Sequence, residues 1–120
     1  MANQNAKGFK RLINACWFSL AGFKATWQHE EAFRQEVILL IISTPLACYL
    51  GNSTIEKLLL IGSVVLVLVV ELLNSAIEAV VDRVGLEHHE LSGRAKDIGS
   101  AAVMLSLIWA IATWSLILLS

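Results

Sequence analysis

From residue 37 onward the chain alternates long apolar runs with short polar breaks. Residues 37–55 and 98–120 hold no charged side chain, and residues 58–77 hold one, Glu71. Each run approaches the ~20 residues a helix needs to cross the hydrocarbon core of a bilayer, the first being short and carrying Pro45. The pattern therefore predicts three membrane helices, at about residues 33–51, 55–83 and 93–119. Before them, Phe9, Leu12, Ile13, Cys16, Trp17, Leu20, Phe23 and Trp27 recur at helical spacing, with Lys10, Arg11, Asn14, Ser19 and Lys24 mostly off that stripe. This predicts an amphipathic helix over about residues 8–28 that lies at the membrane interface, its tryptophans at headgroup depth. Gly51, Asn52, Ser53 and Thr54 read as a tight turn, with Ser53 or Thr54 able to cap the following helix.

Composition agrees with the pattern. Of 120 residues 57% are hydrophobic and 16% charged, against an apolar share of about 45–50% in soluble chains. The expectation is an all-α integral membrane protein, one domain spanning residues 1–120. Lys7, Lys10, Arg11, Lys24 and Arg34 precede the first span, and Arg83, Arg94 and Lys96 fall between the second and third; only Lys57 lies in the other loop. The positive-inside rule then puts the N-terminus and second loop in the cytoplasm and the C-terminus outside. The N-terminal residues lack an apolar core and a small-residue cleavage pattern, so they are expected to stay on the mature protein. A net charge of −1 and no dense basic cluster exclude a nucleic-acid partner. No internal repeat is visible.

The polar residues inside the second span carry the chemistry. Glu71, Asn74, Ser75, Glu78 and Asp82 share one helical stripe, the other faces being Leu, Ile, Val and Ala. An ionisable group at the bilayer centre costs roughly 2.5–3.5 kcal/mol, so such residues face a bundle interior or a cavity and serve a function. Around the cytoplasmic edge stand further candidates: Glu30 and Glu36, then Lys96 and Asp97. Convergent carboxylates suit Mg²⁺, which takes one or two of them plus phosphate oxygens, and a nearby lysine suits phosphate. Metal, cation and carboxylate base are the parts of a phosphoryl-transfer site. Two other readings use the same stripe: helix packing through hydrogen bonds, and an ion or proton carrier. Cys16 and Cys48 lack redox or zinc spacing, and His29, His88 and His89 read as loop or interfacial residues rather than a metal site. Soluble nucleotide-binding motifs are absent from the sequence.

Three blocks resemble a known family. Glu-Leu-Leu-Asn-Ser-Ala-Ile-Glu-Ala-Val-Val-Asp at 71–82, Ala-Phe-Arg-Gln-Glu at 32–36 and Glu-Leu-Ser-Gly-Arg-Ala-Lys-Asp-Ile-Gly-Ser-Ala-Ala-Val at 90–103 are similar to the signatures of the prokaryotic diacylglycerol kinases, over residues 8 to about 114. The resemblance implies a homotrimeric helical bundle in the bacterial inner membrane, its active sites shared between chains. It also implies phosphorylation of diacylglycerol to phosphatidate with ATP and Mg²⁺. It places the general base at Glu71 and the metal ligands at Glu30 and Glu78. Asn74 and Lys96 fall near the γ-phosphate, and Asp97, Glu87, His88 and His89 at nucleotide-binding positions. Arg11 and Phe18 align near both the ATP and the lipid sites. Ala15, Cys16, Trp17, Ser19, Leu20, Ala32, Phe33, Arg34, Gln35, Glu36 and Ser100 match lipid-contacting positions, as does Glu71. Trp17 stands where the best-known members have a small residue, and Leu20 where they have an aromatic one. Gram-positive relatives phosphorylate undecaprenol; their loop usually lacks the Ser-Gly-Arg found at 92–94, which favours diacylglycerol here.

Overall fold

A computed structural model of the protein describes residues 7–120; residues 1–6 of the expected single domain lie outside the described residues. Four helices follow one another: α1 (Gly8–His29), α2 (Glu31–Leu50), α3 (Thr54–Val84) and α4 (Glu90–Leu119). They form two compact units, one ending at Glu31 and the other comprising Ala32–Ser120. Helices α2, α3 and α4 are 20, 31 and 30 residues long and apolar enough to cross a membrane. The protein is thus an all-helical membrane protein with three candidate spans. At 1.5 Å per residue α3 reaches about 46 Å, more than the ~30 Å hydrocarbon core, so it tilts or projects into the headgroup region.

The helix ends have local causes. Helix α1 stops where Glu30 takes an extended conformation (φ −121°, ψ 108°), its N–H still donating to the Thr26 carbonyl. Helix α2 starts at once with Glu31, an acidic residue in the first turn where the helix dipole favours it. It continues through Pro45, whose missing N–H leaves the ladder one bond short. Thr44 Oγ1 donates back to the Leu40 carbonyl at 2.7 Å in the same stretch. The turn into α3 closes on Gly51, where a Cβ would meet the Lys57 side chain at 2.6 Å and the Ala47 carbonyl at 2.9 Å. Ser53 caps α3 by accepting from Glu56 N at 3.1 Å, and Glu56 Oε1 accepts from Asn52 N at 3.1 Å. This is a close variant of the capping box.

Helix α4 begins at Glu90, three residues before the position expected. The Ser-Gly-Arg stretch reads as loop by composition, but His89 caps the helix through Nδ1, which accepts from Leu91 N at 3.1 Å. Arg94 and Lys96 therefore stand on the first turns of α4 and not in the connection.

Helices α3 and α4 pack against each other. Leu60 and Val67 are fully buried, with Val64 beside them and Ala110 on α4; Phe33 and Ala47 are the buried apolar residues of α2. Hydroxyls of buried residues intersperse this core and bond their own helices: Ser63 to the Leu60 carbonyl at 2.8 Å, Ser106 to that of Val103 at 2.7 Å, Thr113 to that of Trp109 at 2.8 Å. Small residues satisfied in this way let helices approach closely without stranding a polar group in an apolar medium. In this core a side chain bonds across the two helices, Trp114 Nε1 donating to the Leu60 carbonyl at 3.0 Å. The large apolar side chains Leu73, Ile77, Leu105 and Ile111 point outward and are exposed.

Candidate active site

The stripe on α3 is the polar centre of the second unit. Glu71 is 4% exposed, seven residues and about 10 Å along the axis from Glu78, which is half-buried. Asn74 joins the two: its Nδ2 donates to Glu78 Oε1 at 2.8 Å and to Glu71 Oε2 at a longer 3.4 Å. Carboxylates accept only, so the amide must turn its NH₂ toward them. Asn74 Oδ1 then faces α4, buried and without a partner.

Helix α2 contributes a second carboxyl group. Glu36, 8% exposed, stands close to Glu71. Glu36 Oε1 and Ser75 Oγ are buried without partners. The five-residue lipid stretch expected from the resemblance is therefore divided: Phe33 and Glu36 point inward, Arg34 is half-buried, and Ala32 and Gln35 are exposed.

Farther along α3 the stripe ends at Asp82, whose Oδ1 pairs with Lys96 Nζ of α4 at 2.6 Å. Both side chains are nearly half exposed, and such a pair is held weakly and exchanges readily. It borders a cavity of about 230 Å³ that also touches Glu87, His88 and His89. The α3–α4 connection thus brings Lys96 together with three expected nucleotide-binding residues. Asp97 and Ser100 are exposed on α4.

Arg11, Ala15, Cys16, Trp17, Phe18, Ser19 and Leu20 lie on α1, all of them exposed. Ser19 Oγ bonds the Ala15 carbonyl at 2.8 Å. Glu30 is half-exposed at the break after α1. Among the described residues no three histidine, cysteine, aspartate or glutamate side chains converge as a ready-made metal cage. The half-buried Glu78 carboxylate is a hard oxygen donor of the kind that suits Mg²⁺, which takes one or two carboxylates and completes its shell with water and substrate phosphates.

Sequence reasoning missed one contact and one residue. The Glu36–Glu71 contact depends on which face α2 presents to α3. Gly99, buried on α4 against Asn74, was quoted only as part of a motif. No periodicity reports either.

Fold and site together define a polytopic helical membrane protein with a carboxylate-rich face reaching from buried depth to an exposed polar edge. The family described as prokaryotic diacylglycerol kinase matches residues 17–118. A diacylglycerol kinase of Escherichia coli (strain K12) is 54% identical over 120 residues, covering all of this chain and 98% of the relative. Those of Haemophilus influenzae and Helicobacter pylori (strain 26695) are 51% and 47% identical, over 92% and 96% of this chain and 94% and 90% of theirs. The chain belongs to the prokaryotic diacylglycerol kinase family, and it is a kinase.

Proposed function

We propose that the protein transfers the γ-phosphoryl group of ATP to the primary hydroxyl of sn-1,2-diacylglycerol, giving phosphatidate and ADP, at the cytoplasmic face of the bacterial inner membrane. The observation that carries this reading is the Glu71–Asn74–Glu78 link, which joins a buried carboxylate to a polar edge about 10 Å away. A glycerol hydroxyl lies at the interface while ATP stays in water, so a site for both substrates must span that distance.

Glu71 is the base. As the lipid oxygen forms its bond to the γ-phosphorus, Glu71 takes the hydroxyl proton; the bond from that phosphorus to the β–γ bridging oxygen breaks and ADP leaves with the electron pair. Asn74 holds Glu71 in place by a side-chain hydrogen bond. Lys96 exchanges Asp82 for a phosphate oxygen. The cavity beside it is smaller than the 300–1,000 Å³ of a typical complete ligand site, which suits the polyphosphate end of the nucleotide. Glu78 and Glu30 are the carboxylates for Mg²⁺, which when bound neutralises charge on the phosphates. Glu87, His88, His89 and Asp97 complete the nucleotide contacts. Helix α1 lies in the interface as a lipid portal, Arg11 and Phe18 serving both substrates. Substrate concentrated in the lipid phase offsets part of the entropic cost of bringing the reactants together.

The test is transfer of labelled phosphate from ATP to diacylglycerol and to undecaprenol in mixed micelles, with and without Mg²⁺. Transfer to diacylglycerol that needs Mg²⁺ and exceeds transfer to undecaprenol supports the reading. Preference for undecaprenol, or ATP-independent ion movement in vesicles with no transfer to either lipid, would overturn it.

A further inference from the structure

We propose that Gly99 is a positioning residue for phosphoryl transfer: the space left by its missing side chain is where Asn74 stands, and any Cβ there turns Asn74 away from the carboxylates it links. This rests on the roles given above to Glu71 and Asn74.

A glycine inside a helix weakens it relative to alanine, so its presence calls for a reason. Gly22 on α1, Gly62 on α3 and Gly93 on α4 face open space, with no atom within 4 Å of a Cβ built on them. Gly99 differs. It is buried, and the three atoms nearest its built Cβ all belong to Asn74: Oδ1 in a forbidden overlap, Cγ at 3.3 Å and Cβ at 3.9 Å.

The direction of the clash decides its consequence. What stands in the way is the end of one side chain and not the backbone of α3, so rotating Asn74 relieves it while both helices stay in place. Asn74 cannot rotate and keep its bonds. With Oδ1 against α4, Nδ2 reaches Glu78 at 2.8 Å and only just reaches Glu71 at 3.4 Å. A turn that frees Oδ1 carries Nδ2 away from both. Glycine at this position is therefore a requirement of the site and not of the fold.

The experiment is a double-mutant cycle on the intact enzyme in mixed micelles, with Gly99→Ala, Asn74→Ala, the double variant and Glu71→Gln. Gly99→Ala is expected to lower kcat by about 10- to 100-fold, the scale of an ångström-sized misplacement. The KM for diacylglycerol should stay within about twofold and resistance to denaturing detergent should not fall. In the Asn74→Ala background the same change should cost nothing further, because the clashing atoms are gone. Parental kcat in Gly99→Ala, with Asn74→Ala and Glu71→Gln both impaired, would overturn this inference alone. So would a loss that multiplies in the double variant. Parental kcat in Asn74→Ala and Glu71→Gln would instead sink the underlying reading and this inference with it. Should Gly99→Ala fail to fold, recovery of folding in the double variant supports the clash, and continued failure refutes it.

Discussion

Glu71 is held by Asn74, four residues from Glu78 on the same helix, and has Glu36 of α2 beside it. A base held in this way loses its chemistry without losing its site when made an amide. Glu71→Gln is expected to lower turnover by a factor on the order of 10²–10⁴, the usual range for a general base, while equilibrium binding of MgATP persists. Near-parental turnover would remove Glu71 from the role. Glu78 sits at the polar end of the link, where the proposed role is to hold the metal instead. Glu78→Ala should therefore weaken Mg²⁺-dependent ATP binding in a calorimetric titration, and unchanged affinity would refute that assignment. The α3 stripe was legible in the sequence because spacings of three and four alone place its members on one face. Glu36 against Glu71 and Gly99 against Asn74 were not, since each depends on how two helices meet.

At the scale of elements, the three spans were visible as apolar runs and their ends fell within a few residues, apart from the start of α4. There the capping group is a histidine, which signals a helix start less plainly than the Ser53–Glu56 pair does for α3. The inter-helix bond from Trp114 to the Leu60 carbonyl was invisible, 54 residues of separation leaving no local trace. Side-chain bonds between membrane helices are worth about 0.6 kcal/mol on average and about 1.7 at most. Trp114→Phe removes the donor together with part of the indole, so it should destabilise the protein by at least about that much in a denaturing-detergent titration. Turnover per folded enzyme should stay unchanged, because Trp114 stands more than three helical turns from Gly99 and the stripe it faces. A change in turnover without a change in stability would show that this bond transmits to the site.

The whole molecule leaves some polar groups in need of cover. Glu71 is already enclosed within one chain. Asn74 and Glu78 remain half-buried amid exposed leucine and isoleucine. Left against lipid, an ionised carboxylate carries a cost of a few kcal/mol, which neighbouring subunits would remove by closing over the stripe. We propose the homotrimer that the family resemblance implies, with Glu30 and the α3 carboxylates of one site supplied by different chains. Co-reconstituting inactive Glu30→Ala chains with inactive Glu71→Gln chains should then restore part of the activity, since some mixed trimers would hold one site with both residues intact. Crosslinking must first establish that mixed trimers form. If they form and no activity returns, each site is built within a single chain, and the cover over Glu78 contributes no catalytic group.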